Sequence, residues 1–130
     1  MTMTLEDELT AAAAKGNTAA VEDLLRRGAP VNGLNRFGRS ALQVMMMGST
    51  PVARVLLMHG ADPNVADCST GHTPLHDAAR TGFLDTVRLL VEFKANPQAR
   101  DQANCRPVDL ARGHGHTDVV VFLESLRKAP

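Results

Sequence analysis

The chain has 130 residues, 44% of them apolar and 22% charged, enough for one domain with a modest core and too apolar for a disordered segment. Fourteen Lys and Arg balance fourteen Asp and Glu, and there is neither Tyr nor Trp. That balance holds in each half of the chain and argues against a nucleic-acid binder or a polybasic membrane binder, and few rings are present on which bases could stack.

In chain order, the opening MTMTLEDEL is acidic where a secretory leader needs base, so no leader is expected. No apolar run approaches the roughly 18 residues of a membrane span; the longest near the C-terminus is Val119–Leu123. LEDE at the start and ESLRK at the end suit the polar outer faces of a stacked protein.

The next segments repeat one another. GNTAAVEDLLRRGA (16–29), GSTPVARVLLMHGA (48–61), GFLDTVRLLVEFKA (82–95) and GHTDVVVFLESLRK (115–128) begin on glycines separated by 32, 34 and 33 residues. A second echo, GAPVN (28–32), GADPN (60–64) and KANPQ (94–98), closes three of these blocks. A third, RSALQ (39–43), HTPLH (72–76) and CRPVD (105–109), is spaced by 33. Three echoes in one register, with this period and a TPLH phrase, identify ankyrin repeats. An all-α repeat solenoid of four repeats is expected, at about 5–34, 35–66, 67–100 and 101–130, in one domain over 1–130. Helix-turn-helix units would be joined by β-turn or hairpin loops.

The spelling of one unit explains how it folds. In HTPLHDAARTG, Thr73 is placed to accept from the free N–H groups that open a helix, and Pro74 stands where its missing N–H is harmless. Leu75, Ala78 and Ala79 make one thin face, Gly82 permits the left-handed turn that ends the helix, and Val87, Leu89 and Leu90 form the stripe of the second helix. His76 reads as a buried hydrogen-bonding strut between repeat loops. One unit cannot bury its apolar face alone, so stability is summed over neighbours and is expected to be marginal.

The second repeat departs from this pattern. Leu75 lies seven residues before Gly82, but Leu42 lies six before Gly48. Its first helix is therefore predicted to be little more than a turn, and it reads LQVMMMG. Three adjacent residues of a helix cannot share one face, so at least one methionine must point outward. Met45 and Met46 are predicted to include the outward side chains, with Met47 more buried where the chain turns back.

NRFGRSALQVMMMGS (35–49), VLLMHGADPN (55–64) and HDAARTGFLDT (76–86) resemble the ankyrin-repeat inhibitors of cyclin-dependent kinases 4 and 6, the INK family, over about Leu9–Leu126. A shortened first helix in repeat two is itself a trait of that family. The resemblance implies a monomeric binder without catalysis or cofactor that lies beside the ATP cleft of the kinase, tilts its lobes and weakens cyclin D binding. It would act in cytoplasm and nucleus, restraining G1 progression. The implied kinase-binding residues are Phe37, Met45, Met46, Asp77, Arg80, Phe83 and Asp85, with Asp67 a weaker candidate. Where many members carry an acidic residue after the first-repeat glycine, this chain has Ala19 and Ala20. A general ankyrin adaptor for another protein is the alternative reading.

Other constellations are better read as structural. His114, His116 and Asp118 in GHGHTD suggest a metal site, but glycine followed by histidine is ordinary ankyrin spelling and no further ligands are near in sequence. His76 with Asp77 has no nucleophile or phosphate loop beside it, so no enzyme is expected. Cys68 and Cys105 make neither a disulfide framework nor a zinc site and suit a reducing compartment. Asp77 and Arg80 stand three apart on a helix and are placed to pair with each other.

Overall fold

Thr4, Ser40 and Thr73 each stand one residue before a helix, in extended conformation, with a side-chain oxygen accepting from the third helical amide. Pro occupies the first turn of three later helices, where its lack of an N–H is harmless. The computed structural model describes residues 3–126. Among these residues the elements are α1 (Leu5–Ala14), α2 (Thr18–Arg26), α3 (Ala41–Val44), α4 (Thr50–Met58), α5 (Pro74–Thr81), α6 (Leu84–Glu92), α7 (Pro107–Gly113) and α8 (Thr117–Ser125), with no strand. The all-α repeat class read from the sequence is the class observed.

The helices fall into two compact units, Met1–Asp62 and Pro63–Pro130. In the first, α1 packs on α2 and α3, and α2 packs on α4, around Leu9, Val21, Leu42, Val52 and Leu56. In the second, α5 packs on α6 and α7, and α8 lies against α6 and α7, around Leu75, Val87, Leu90 and Val119. The stripe expected of Val87, Leu89 and Leu90 is buried as a set. The acidic start LEDE sits in the first turn of α1, where the positive end of the helix favours it. At the other end Glu124 pairs with Arg112 at 3.0 Å, while Arg127 and Lys128 lie outside the described residues.

The loops carry hairpin-type bonds without forming strands. Asn35 N–H donates to Arg39 O, Asp67 N–H to His72 O and Asp101 N–H to Cys105 O, each at 2.9 Å. Within each unit an asparagine also joins successive loops. Asn32 donates to Gly60 O and accepts from Asp62 N–H; Asn64 donates to Lys94 O and accepts from Asn96 N–H. Lys94 is left-handed at φ 77°, at the place in its phrase where Gly28 and Gly60 stand with φ 97° and 91°. A lysine there carries a steric cost that glycine avoids.

The shortened helix is present as expected. α3 has four residues, is opened by a reciprocal Ser40–Gln43 capping box and ends as Met45 turns to φ −56°, ψ 154°. The next amide, Met46 N–H, donates to Ala13 O of α1 at 3.0 Å. With so few internal bonds, amides 43–48 should exchange with solvent faster than amides 75–81 of α5. Hydrogen exchange followed by mass spectrometry checks this, and equal protection in the two segments would contradict it.

Candidate functional site

Each unit carries part of the implied surface. In the first, the loop holding Phe37 is shaped from both sides. Asn35 Oδ1 accepts from Phe37 N–H at 2.9 Å and Arg39 N–H at 3.1 Å. Asp7 on α1 accepts from Arg36 N–H at 3.1 Å and pairs with its guanidinium at 3.8 Å. The Arg36 amide is the main reason the Asp7 carboxyl lies below its usual range, against the opposing effect of burial. Held this way, the Phe37 ring is 70% exposed beside an open groove of about 340 Å³ lined by Met3, Ala11, Ala14 and Val44.

The methionines answer to a different register from the one expected. Met45 is 3% exposed and Met46 49%, while Met47 is buried. The outward expectation is right for Met46 and is corrected for Met45. Helical spacing does not apply after Val44, because the chain leaves α3 extended at Met45, and side chains of extended chain alternate between faces. Met46 covers Gly16, which is left-handed at φ 71° and whose missing Cβ would lie 3.0 Å from the Met46 sulfur.

In the second unit Asp77 and Arg80 lie on the half-buried side of α5 and pair at 3.5 Å. Phe83, 44% exposed, precedes α6, and Asp85 is exposed in its first turn. Asp67 is half-buried and shapes its own loop, accepting from Ser69 N–H at 2.8 Å and Thr70 N–H at 3.3 Å. Its carboxylate already has structural work. α5 is fixed at both ends. At its C-terminus Gly82 is left-handed at φ 82°, and His116 Nε2 donates to Arg80 O at 3.1 Å. The His116 ring fills the place a Cβ on Gly82 would need, 2.5 Å from Nδ1.

At the N-terminus of α5 the fully buried His76 is the strut that was expected. Its Nδ1 accepts from Thr73 N–H at 3.1 Å, so Nε2 carries the proton and donates to Cys105 O at 2.8 Å. Burial pushes its pKa down, partly opposed by the Cys105 carbonyl, and the ring is neutral. Two neighbours were not singled out from sequence. Asp101, almost buried, accepts from Cys105 N–H at 2.8 Å and Ala103 N–H at 2.9 Å. Burial works against its carboxylate, but those amides and two histidines hold it below its usual range. His72 stacks on His76, ring centres 5.5 Å apart, with Nε2 3.1 Å from Asp101 and Nδ1 3.5 Å from Asp77. A signal for Asp101 existed: Asn35, Asp67 and Asp101 recur at 32 and 34 residues, in step with the repeats.

His114 and His116 stack at 6.4 Å and each meets a backbone carbonyl, Leu110 O and Arg80 O. Among the described residues no group of three His, Cys, Asp or Glu side chains is placed to hold a metal. Cys68 and Cys105 are free thiols.

A family model described as Ankyrin repeats (3 copies) matches residues 9–101 and 47–126. The chain is 52% identical over 120 residues to Cyclin-dependent kinase 4 inhibitor B of Homo sapiens, covering 92% of this chain and 87% of that protein. It is also 52% identical over 118 residues to Cyclin-dependent kinase 4 inhibitor B of Bos taurus, covering 91% and 90%. The chain belongs to the INK family of ankyrin-repeat cyclin-dependent kinase inhibitors. Cyclin-dependent kinase inhibitor 2A of Monodelphis domestica is a further relative, 50% identical over 120 residues, with 92% and 70% covered.

For this INK-family chain the methionine register has a measurable consequence. Met45→Ala empties a buried site and should cost about 2–4 kcal/mol, whereas Met46→Ala, at a half-exposed site, should cost under about 1 kcal/mol. Urea unfolding of the two variants distinguishes this order from its reverse.

His76 sets a pH dependence. Its folded pKa lies below the ordinary 6.5, so below that pH the unfolded chain binds more protons than the folded one. Its contribution is complete above about pH 7 and is lost as pH falls below 6.5 towards the lower folded value. The urea midpoint should therefore decline between about pH 7 and pH 5. A midpoint indifferent to pH over that interval would contradict a buried neutral imidazole.

Proposed function

We propose that this chain is a non-enzymatic inhibitor of cyclin-dependent kinases 4 and 6. The observation that carries the reading is its 52% identity, across nearly the whole of both chains, to a protein named as an inhibitor of cyclin-dependent kinase 4. The inhibitor binds beside the ATP cleft as a monomer, in cytoplasm and nucleus. It favours a kinase whose lobes are tilted, while cyclin D favours the active arrangement. Because the two binding events prefer different kinase states, each weakens the other, and progress through G1 is restrained.

The contact surface in this reading uses Phe37 and Met46 from the first unit and Asp77, Arg80, Phe83 and Asp85 from the second. The exposed rings of Phe37 and Phe83 and the exposed thioether of Met46 support it, since large apolar side chains left in water favour contact with a partner. Met45, being buried at the end of the short helix, lies outside the set of direct contacts in this reading. Asp67 contributes through the shape of its loop. α2 has no acidic residue in its first turn, so Ala19 and Ala20 supply no charge to the partner.

Asp77→Asn is the sharpest test. The change keeps the shape of the side chain and removes its charge. Its pairs with Arg80 and His72 are partly solvated and contribute little to stability. A carboxylate desolvated against a basic kinase group matters far more. Affinity for kinase 4 should fall at least about tenfold, roughly 1.4 kcal/mol, with the thermal midpoint nearly unchanged. Titration calorimetry with purified kinases 4 and 6 checks this. Undiminished binding removes Asp77 from the surface, and no binding by the unaltered chain leaves the adaptor reading.

A further inference from the structure

Asn32 and Asn64 occupy matching places in GAPVN and GADPN and are held alike. Each donates from Nδ2 to a carbonyl in the next loop, Gly60 O at 3.0 Å and Lys94 O at 3.1 Å. Each accepts through Oδ1 from an amide two residues beyond that carbonyl, Asp62 N–H at 2.8 Å and Asn96 N–H at 2.7 Å. A carbonyl only accepts and an N–H only donates, so each side-chain amide has one orientation. What differs is the residue that follows. Asn64 precedes the β-branched Val65, whereas Asn32 precedes Gly33 in the one Asn–Gly pair of the chain.

That pair has chemistry of its own. The backbone nitrogen that follows an asparagine can attack the side-chain Cγ and close a five-membered imide. Here the Gly33 nitrogen would bond to Asn32 Cγ and give up its proton, while Nδ2 leaves with that proton as ammonia. Water then adds to one of the two imide carbonyls and breaks its bond to the Gly33 nitrogen. Breaking the bond to Cγ leaves an aspartyl residue; breaking the main-chain bond leaves an isoaspartyl one. The branched Cβ of Val65 crowds the same step at Asn64, and Gly33 has no Cβ to do so.

The fold calls for both residues of the pair. Asn32 is exposed, yet its side chain clasps one loop to the next. A Cβ on Gly33 would lie 2.5 Å from Glu6 Cγ of α1 and 2.8 Å from Pro30 Cγ. The fold also restrains the reaction. Both ends of the Asn32 amide are bonded, and Gly33 N–H donates to Pro30 O at 3.0 Å. The attack therefore competes with three hydrogen bonds.

We infer that the Asn32–Gly33 pair is a self-deamidation site gated by this clasp: it reacts when the clasp opens, and the clasp cannot afterwards reform as it was. The ionised product has no N–H for Gly60 O and sets a negative charge against that carbonyl. The change consumes water alone and needs no enzyme and no partner.

Peptide mapping by mass spectrometry, on the full chain kept in mildly alkaline buffer, tests the site. Aspartyl and isoaspartyl products should gather at Asn32 several-fold faster than at Asn64. Equal rates at the two asparagines, or no product at Asn32, overturn the site. The same incubation in urea strong enough to unfold the chain tests the gate. The rate at Asn32 should rise at least about fivefold, the factor for opening one hydrogen bond. A rate no higher than in the folded chain overturns the gate. Asn32→Asp reads the consequence without the chemistry. At a fixed urea concentration its unfolding equilibrium constant should be about fivefold that of the unaltered chain, the worth of one lost bond. An unchanged constant overturns the claim that the product weakens the clasp.

Discussion

Helices of four to ten residues are too short to persist in water by themselves, so this protein depends on what its loops do to the helix ends. In the second unit that task falls on His76. Its imidazole takes the Thr73 amide that opens α5 and gives its proton to the carbonyl of Cys105, 29 residues further on. One ring thereby caps a helix and ties down the loop that leads to α7. Such bonds contribute about 0.5–1.5 kcal/mol each when made, and more is lost when one buried partner is removed. Among the described residues no buried side-chain nitrogen or oxygen lacks a partner, so the short helices are joined without an internal polar debt.

That framework explains why the candidate contact residues are spread over helix ends and loop tips. Phe37 and Asp67 lie in loops bent by side chains that accept from backbone amides, and Phe83 stands at the start of a helix. None of these positions is needed to fill the core. The loop bonds hold Phe37 and Asp67 in place, which lowers the ordering cost of meeting a partner. Asp77 and Arg80 combine both roles, since they pair with each other while lying half in solvent.

Much of the fold was legible because ankyrin spelling is local chemistry repeated. Thr73, Pro74 and Gly82 could be read as start and stop signals, and the missing residue before Gly48 announced the short α3. The exposure of Met45 was misjudged because a helical period was carried past the residue where the helix ends, a boundary set by the bond from Met46 to Ala13 in another helix. His72 was passed over for a related reason. Its partners Asp77 and Asp101 come from different elements, and no periodicity along the chain brings a loop histidine to a carboxylate preceding α7. Lys94 was legible in the opposite sense, as a departure from glycine within a repeated phrase, and the backbone keeps the left-handed turn regardless.

Regularising the repeats is a common route to heat-resistant ankyrin proteins, and α3 is the obvious place to begin. Inserting the absent residue would carry helix through the position of Met45. Each added helical residue rotates the side chains beyond it by about 100°. The thioether that now shields Gly16 would swing away, and the Met46 amide would lose the Ala13 carbonyl for a partner within its own helix. The repaired protein would gain a turn of regular structure and present a different face. In this chain the shortness of the irregular helix is inseparable from the direction in which Met46 points.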